Sequence, residues 1–167
     1  MRKGQYRLGL FGFGVAIFLL GVSMQAWAAD KLTLSNSVFQ DIEIKNADGK
    51  SEIKRIPVET AFPGSELLYV ITYKNTGDKP AEDVVISNPL SKELLYKDQS
   101  ANGNNATVTV SVNGGKNYGE ITTLRIPTTD GADRPAKVED ITDIQFKLSK
   151  PVLPEESGTV SFWVVLK

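Results

Sequence analysis

Cysteine and histidine are both missing from this chain of 167 residues. Without cysteine there is no disulfide and no thiolate nucleophile. Without histidine there is no Ser-His-Asp or Cys-His machinery, and the usual zinc and copper ligands are gone too, leaving only oxygen donors. Charge of either sign is also not in surplus, with 19 basic against 20 acidic residues. Phosphate neutralisation needs a basic surface, so nucleic acid is not an expected partner, and neither is an anionic lipid surface. Long apolar runs are absent after the first thirty residues, and no long segment has a helical period.

What the N-terminus holds is MRKGQYRLGLFGFGVAIFLLGVSMQAWAAD. A basic head (Arg2, Lys3, Arg7), an apolar run from Leu8 to Val22 and an A-x-A exit at Ala26 and Ala28 are the marks of a secretory signal peptide. The run is fifteen residues, short of the roughly 18 that a bilayer-spanning helix needs. We therefore expect a signal helix over residues 1–28, cleaved after Ala28, with a single domain over 29–167. Arg2, Lys3 and Arg7 are three of the 19 basic residues and the leader has no acidic ones, so cleavage leaves a net charge of −4. The expected product is exported, periplasmic or secreted, soluble, and held together by packing and backbone pairing alone.

The rest of the chain alternates with period 2. DIEIKN and KSEIKRIPV read as a hairpin turning at Asp48-Gly49, with Ile42 and Ile44 facing Ile53. After the turn residues Phe62-Pro63-Gly64-Ser65 comes ELLYVITYKN, apolar on both faces and so a central strand. Leu68, Val70 and Thr72 share one face; Leu67, Tyr69, Ile71 and Tyr73 share the other. Asn75-Thr76-Gly77-Asp78 are turn formers, Pro80 falls outside any ladder, and EDVVISNPL resumes as a strand ending at Pro89. SKELLY is compatible with one helical turn. NATVTVSV puts Val108, Val110 and Val112 on one face, and Asn113-Gly114 is a two-residue hairpin signal. ITTLRIP reads as a strand and TTDGADRPAKVED as a surface loop. ITDIQFKLSK, the connection PVLPEESG and TVSFWVVLK close the chain. Eight or nine short strands at this spacing predict an all-β, antiparallel β-sandwich.

GSELLYVITYKNTGDKPAEDVVISNPL resembles the opening strands of the conserved-repeat Ig-like domains of prokaryotic envelope proteins, a domain of unknown function. The matching positions are Pro63, Gly64, Tyr69, Thr72, Tyr73, Asn75, Thr76, Gly77, Val84, Val85 and Pro89. DITDIQFKLSKPVLPEESGTVSFWVVLK is similar to that family's closing hairpin at Pro154, Glu156, Ser157, Gly158, Val160 and Phe162. The family-like core spans about residues 60–167, matching well over 60–96 and 138–167 and poorly between. The resemblance implies an immunoglobulin-like sandwich, here with an added N-terminal hairpin, and no established activity. This chain carries one copy and places Trp163 where a charged residue is more usual.

Candidate chemistry is sparse. Glu155-Glu156, Glu139-Asp140 and Asp130/Asp133 are the paired carboxylates, all in segments that read as loops, where such charges are ordinarily solvated. Asp130-Gly-Ala-Asp133 and Asp48-Gly49 offer oxygen near a glycine turn without the full calcium-loop spacing. Ig-like surface domains sometimes carry a Lys–Asn isopeptide crosslink. Lys74 and Asn75 lie in the right neighbourhood for one, but the last strand has no Asn or Asp acceptor. No catalytic residue, cofactor or metal ligand is therefore assigned. Trp163 is the informative residue: if Phe162 faces inward, Trp163 faces out. There it either docks a partner or stacks a sugar, or is covered by the added hairpin or by neighbours such as Tyr73. The expected function is non-catalytic protein–protein contact in the bacterial envelope through a sheet face or strand edge. The alternative is a carbohydrate-binding module with Trp163 and nearby tyrosines such as Tyr73 as platform.

Overall fold

The computed structural model describes residues 32–129 and 131–167. The expected signal helix of residues 1–28 and the calcium candidate Asp130 lie outside the described residues. The rest is all-β. The strands are β1 (Leu32–Lys45), β2 (Ser51–Pro57), β3 (Glu66–Asn75), β4 (Val85–Pro89), β5 (Leu94–Tyr96), β6 (Asn102–Gly103), β7 (Ala106–Ser111), β8 (Arg125–Pro127), β9 (Asp133–Pro135), β10 (Asp143–Leu148) and β11 (Ser157–Leu166).

Every pairing is antiparallel. One sheet has the order β2-β1-β3-β11-β5, with β6 also pairing β11; a second has the order β4-β10-β7; β8 and β9 form a small ribbon. β3 is central, as its two apolar faces predict, because β1 and β11 flank it. Its inner residues Leu67, Tyr69, Ile71 and Tyr73 are in register with Val164, Phe162, Val160 and Gly158 of β11.

The two larger sheets share one core. Ile71, Val160, Phe162 and Val164 from one meet Ile86, Val110, Ile144, Phe146 and Leu148 from the other. Phe162 and Phe146 are both fully buried, with ring centroids 6.4 Å apart across the interface. Tyr69 stacks on Phe162 at 5.3 Å and an interplanar angle of 13°. Burying one such ring stabilises the fold by ~1.5–3 kcal/mol. With no disulfide available, these rings and the flanking β-branched residues carry the sandwich.

Several local expectations are corrected. β1 pairs β2 with Glu43 opposite Ile53 and Ile44 opposite Glu52. Residues opposite one another share a face, so Ile53 lies on the other side of the hairpin from Ile42 and Ile44. It is 65% exposed. The turn itself is at Asp48-Gly49, with Gly49 at φ 74°. Asn113-Gly114 does not close a two-residue hairpin. Gly114 and Gly115 both take positive φ, and the chain returns to β7 only at Gly119, opposite Val110. Ser111 Oγ accepts from the amides of Asn113 and Gly115, which holds the wider turn open. Ile121–Thr123 is a 3-10 turn, leaving only Arg125–Pro127 as strand. Its partner is Asp133–Pro135, inside the segment that reads as a loop. Leu94–Tyr96 of SKELLY is extended, because it pairs β11.

The motif positions are structural anchors. Gly64, at φ 91°, donates to Leu166 O at 2.7 Å and so ties the Pro63-Gly64 turn to the end of β11. Asn75 is 1% exposed. Its Nδ2 donates to Lys79 O at 2.7 Å and Val152 O at 2.8 Å, and its Oδ1 accepts from Gly77 N at 2.8 Å. One amide thus closes the Asn-Thr-Gly turn containing Thr76 and fastens it to the loop before β11. Pro89 ends β4 opposite Asp143.

Candidate binding face around Trp163

Alternation along β11 buries Val160, Phe162 and Val164 and turns Trp163 to the outer face of the larger sheet. There Trp163 is opposite Leu68 of β3, and Leu68 is opposite Phe39 of β1. Leu68 is only 5% exposed although it lies outside the main core. A second, small apolar cluster therefore sits on the outer face.

Arg55 completes it. Its Cζ lies 5.4 Å from the centroid of the Trp163 ring. β3 and β1 intervene between β11 and β2, so both side chains lie along the sheet to meet. The guanidinium is held by Asp41, its register partner, through Nε to Oδ1 at 2.8 Å and NH2 to Oδ2 at 2.9 Å. This two-pronged bond lowers the Asp41 carboxyl below its ordinary value and raises Arg55. The β1–β2 hairpin thus partly covers the tryptophan, with a cation in place of an apolar side chain.

A second ion pair lies on the other flank. Lys97 Nζ donates to both carboxylate oxygens of Glu66, each at 2.8 Å. Between the pairs, Gln40, Asp41, Ser65, Glu66, Lys97 and Trp163 line an open depression of about 570 Å³. The backbone beneath is fixed where β5 leaves the edge of β11. Lys97 N donates to Trp163 O at 2.9 Å. The Ser100 hydroxyl then accepts from Trp163 N at 3.0 Å and donates back to its carbonyl at 3.3 Å. Trp163 is therefore mounted on a rigid strand.

Tyr73 is not part of this face. It occupies the inner side of β3 opposite Gly158, with its ring lying against the Gly158 Cα, where a Cβ would collide with it. Burial, and then Glu156, push its hydroxyl above the ordinary value. It lines a separate depression of about 300 Å³ with Asn104, Leu153 and Glu156. Trp163 and Tyr73 cannot act as one platform.

Three of the carboxylate candidates, Asp140, Glu155 and Glu156, are each engaged singly. Asp140 takes Arg134 through two bonds at 2.6 and 2.7 Å and the amide of Lys137 at 2.8 Å, and the Arg134 hydrogen bonds hold its pKa down at about 2. Glu155 pairs with Lys74 at 2.7 Å, and Glu156 accepts from Leu153 N at 2.7 Å. Asp133 opens β9 opposite Pro127. Among the described residues, no group of three or more acidic side chains is placed to hold a metal ion. Lys74 points to the outer face and Asn75 to the inner one, so the crosslink geometry is not assembled.

Arg55, Asp41, Glu66 and Lys97 were not legible as site residues. They come from three strands and from the residue that follows β5, and only the sheet register brings them to Trp163. No protein-family model matches this chain, and no curated protein or solved structure matches it either.

Proposed function

We propose that this chain is an exported, immunoglobulin-like, non-catalytic domain of the bacterial envelope, and that it docks a protein partner on the outer face of its larger sheet around Trp163. The leader pattern supports export, and the motif resemblance supports the immunoglobulin-like assignment. The observation that carries the contact reading is the Arg55–Trp163 pair at 5.4 Å on a rigid sheet, flanked by the Asp41 and Glu66 ion pairs. Trp and Arg are the residue types that dominate protein interfaces when ringed by polar neighbours that exclude water.

A sugar-binding reading has one specific observation in its favour. An aromatic ring beside Gln40, Asp41 and Glu66 in an open depression is the composition that a glycan site uses. Arg55, however, occupies the space over the ring where a sugar would stack. The two readings part on Arg55→Ala. Under protein contact, affinity capture from an envelope extract, read by mass spectrometry, should recover one dominant protein with the native domain. Capture should fall with Trp163→Ala and also with Arg55→Ala. Under sugar binding, retention on cell-wall polysaccharide should fall with Trp163→Ala and rise with Arg55→Ala, because the ring is uncovered. Capture unaffected by either substitution sinks both readings.

A further inference from the structure

The added hairpin reaches beyond the sandwich. β1 pairs β3 only from Leu32 to Phe39, and pairs β2 only from Phe39 to Lys45. β2 ends the sheet, with no strand on its far side among the described residues. A free edge of this kind presents unpaired backbone groups.

The outward-facing groups can be named. Asn46 N donates to Lys50 O at 2.9 Å, and Val58 N donates to Val38 O at 3.0 Å. These bonds bracket β2 and fix its phase: even-numbered residues turn their amides and carbonyls toward β1. Ser51, Ile53 and Arg55 therefore turn theirs to the free edge. Pro57 shares that phase but has no N–H, so it blocks the far end.

Lys54 and Arg55 would ordinarily guard such an edge against other strands. Against a second copy of β2 the outcome depends on register: in an antiparallel pairing about a two-fold axis, centring on Glu52 sets that carboxylate against its own counterpart, and centring on Ile56 leaves only Arg55 against Pro57. Centring on Lys54 sets Lys54 against its own counterpart. Centring on Arg55 opposes two guanidinium groups and puts Ile53 against Pro57, losing a hydrogen bond. Centring on Ile53 sets Ile53, 65% exposed, against its counterpart and pairs Glu52 with Lys54 twice. Ser51 and Arg55 then exchange backbone bonds on each side, with every outward amide paired.

We propose that the domain self-associates through β2, edge to edge, in the register centred on Ile53, so that the larger sheet continues across two copies. The occupant of this edge is a second copy of the chain, because in this register the charge pattern Glu52–Lys54 is its own complement. No residue of β2 lines the depression at Trp163; Arg55 meets the indole through its side chain and the second copy through its backbone.

Sedimentation velocity over a wide concentration range, on protein produced from the full chain, tests this. The native protein should show a reversible monomer–dimer equilibrium. Glu52→Lys or Lys54→Glu alone sets like charges opposite one another twice, and should weaken association about tenfold or more. The double charge swap, Glu52→Lys with Lys54→Glu, should restore it. Both side chains are exposed, and the restored double variant separates a lost interface from a lost fold. A native protein that stays monomeric throughout overturns the proposal, as does a dimer indifferent to the single swaps or a double swap that fails to restore it.

Discussion

The guanidinium of Arg55 sits 5.4 Å from the centre of the Trp163 indole, joining β2 to β11 across two intervening strands. The contact makes the β1–β2 hairpin part of the outer face of the larger sheet, and Asp41 holds the cation in place from the neighbouring strand.

Arg55→Ala should expose the indole. With Trp27→Phe also introduced, so that emission reports Trp163 alone, the fluorescence maximum should move to longer wavelength and acrylamide quenching should increase. The stability lost should be small, ~0.5–1 kcal/mol, as for a solvent-accessible cation–π contact. Emission unchanged by the substitution would mean that Arg55 does not cover the ring.

Asn75→Ala should be far more costly. The amide makes three hydrogen bonds at a fully buried position, two as donor and one as acceptor. Its loss leaves the carbonyls of Lys79 and Val152 without that donor. We expect a loss of about 2–4 kcal/mol, read as a lower urea midpoint at unchanged slope. A shift under half a kcal/mol would remove Asn75 from its place as the fastening between the two loops.

Gly158→Ala should destabilise the fold by ~1–3 kcal/mol, because the new methyl meets the Tyr73 ring. Combining it with Tyr73→Val should recover part of that loss, since the smaller side chain makes room. A double-mutant cycle with no coupling would contradict the contact.

Asp140 gives a pH signature. Its folded pKa is about 2 against an ordinary 3.8, chiefly through Arg134. A depressed acid contributes stability in full above its unfolded pKa and loses it as pH falls toward the folded value. The native protein should therefore exceed Asp140→Asn by about 1 kcal/mol above pH ~5, after allowing for water around the 40% exposed Arg134 side chain. The gap should close on going from pH ~4 to ~2. A gap that persists at pH ~2 would assign the effect to packing instead.

How much of this could be read from the residues alone depends on the range of the interactions involved. ELLYVITYKN announced a central strand because both of its faces are apolar, and TVSFWVVLK put Val160, Phe162 and Val164 inside by alternation. Those are local patterns, and they survive folding. Ile53 was placed on the wrong face because period 2 gives each strand its own two faces and leaves open which residues sit opposite across a turn. That is set by the Asn46–Lys50 closure of the hairpin. β9 is not legible because a three-residue strand offers too few positions to alternate, and of ITTLRIP only Arg125–Pro127 stays strand. At the Trp163 face, the outward turn of the indole was legible. Its partners Arg55, Asp41, Glu66 and Lys97 were not, because sheet order decides which strands become neighbours.

Site-specific photo-crosslinking in intact cells tests the binding face most directly. A photoreactive residue in place of Lys97, at the rim of the Trp163 depression, should give one protein adduct of discrete mass. The same residue in place of Thr107, exposed on β7 of the other sheet, should give none. No adduct from position 97, or equal adducts from both positions, would contradict a protein partner on the outer face of the larger sheet.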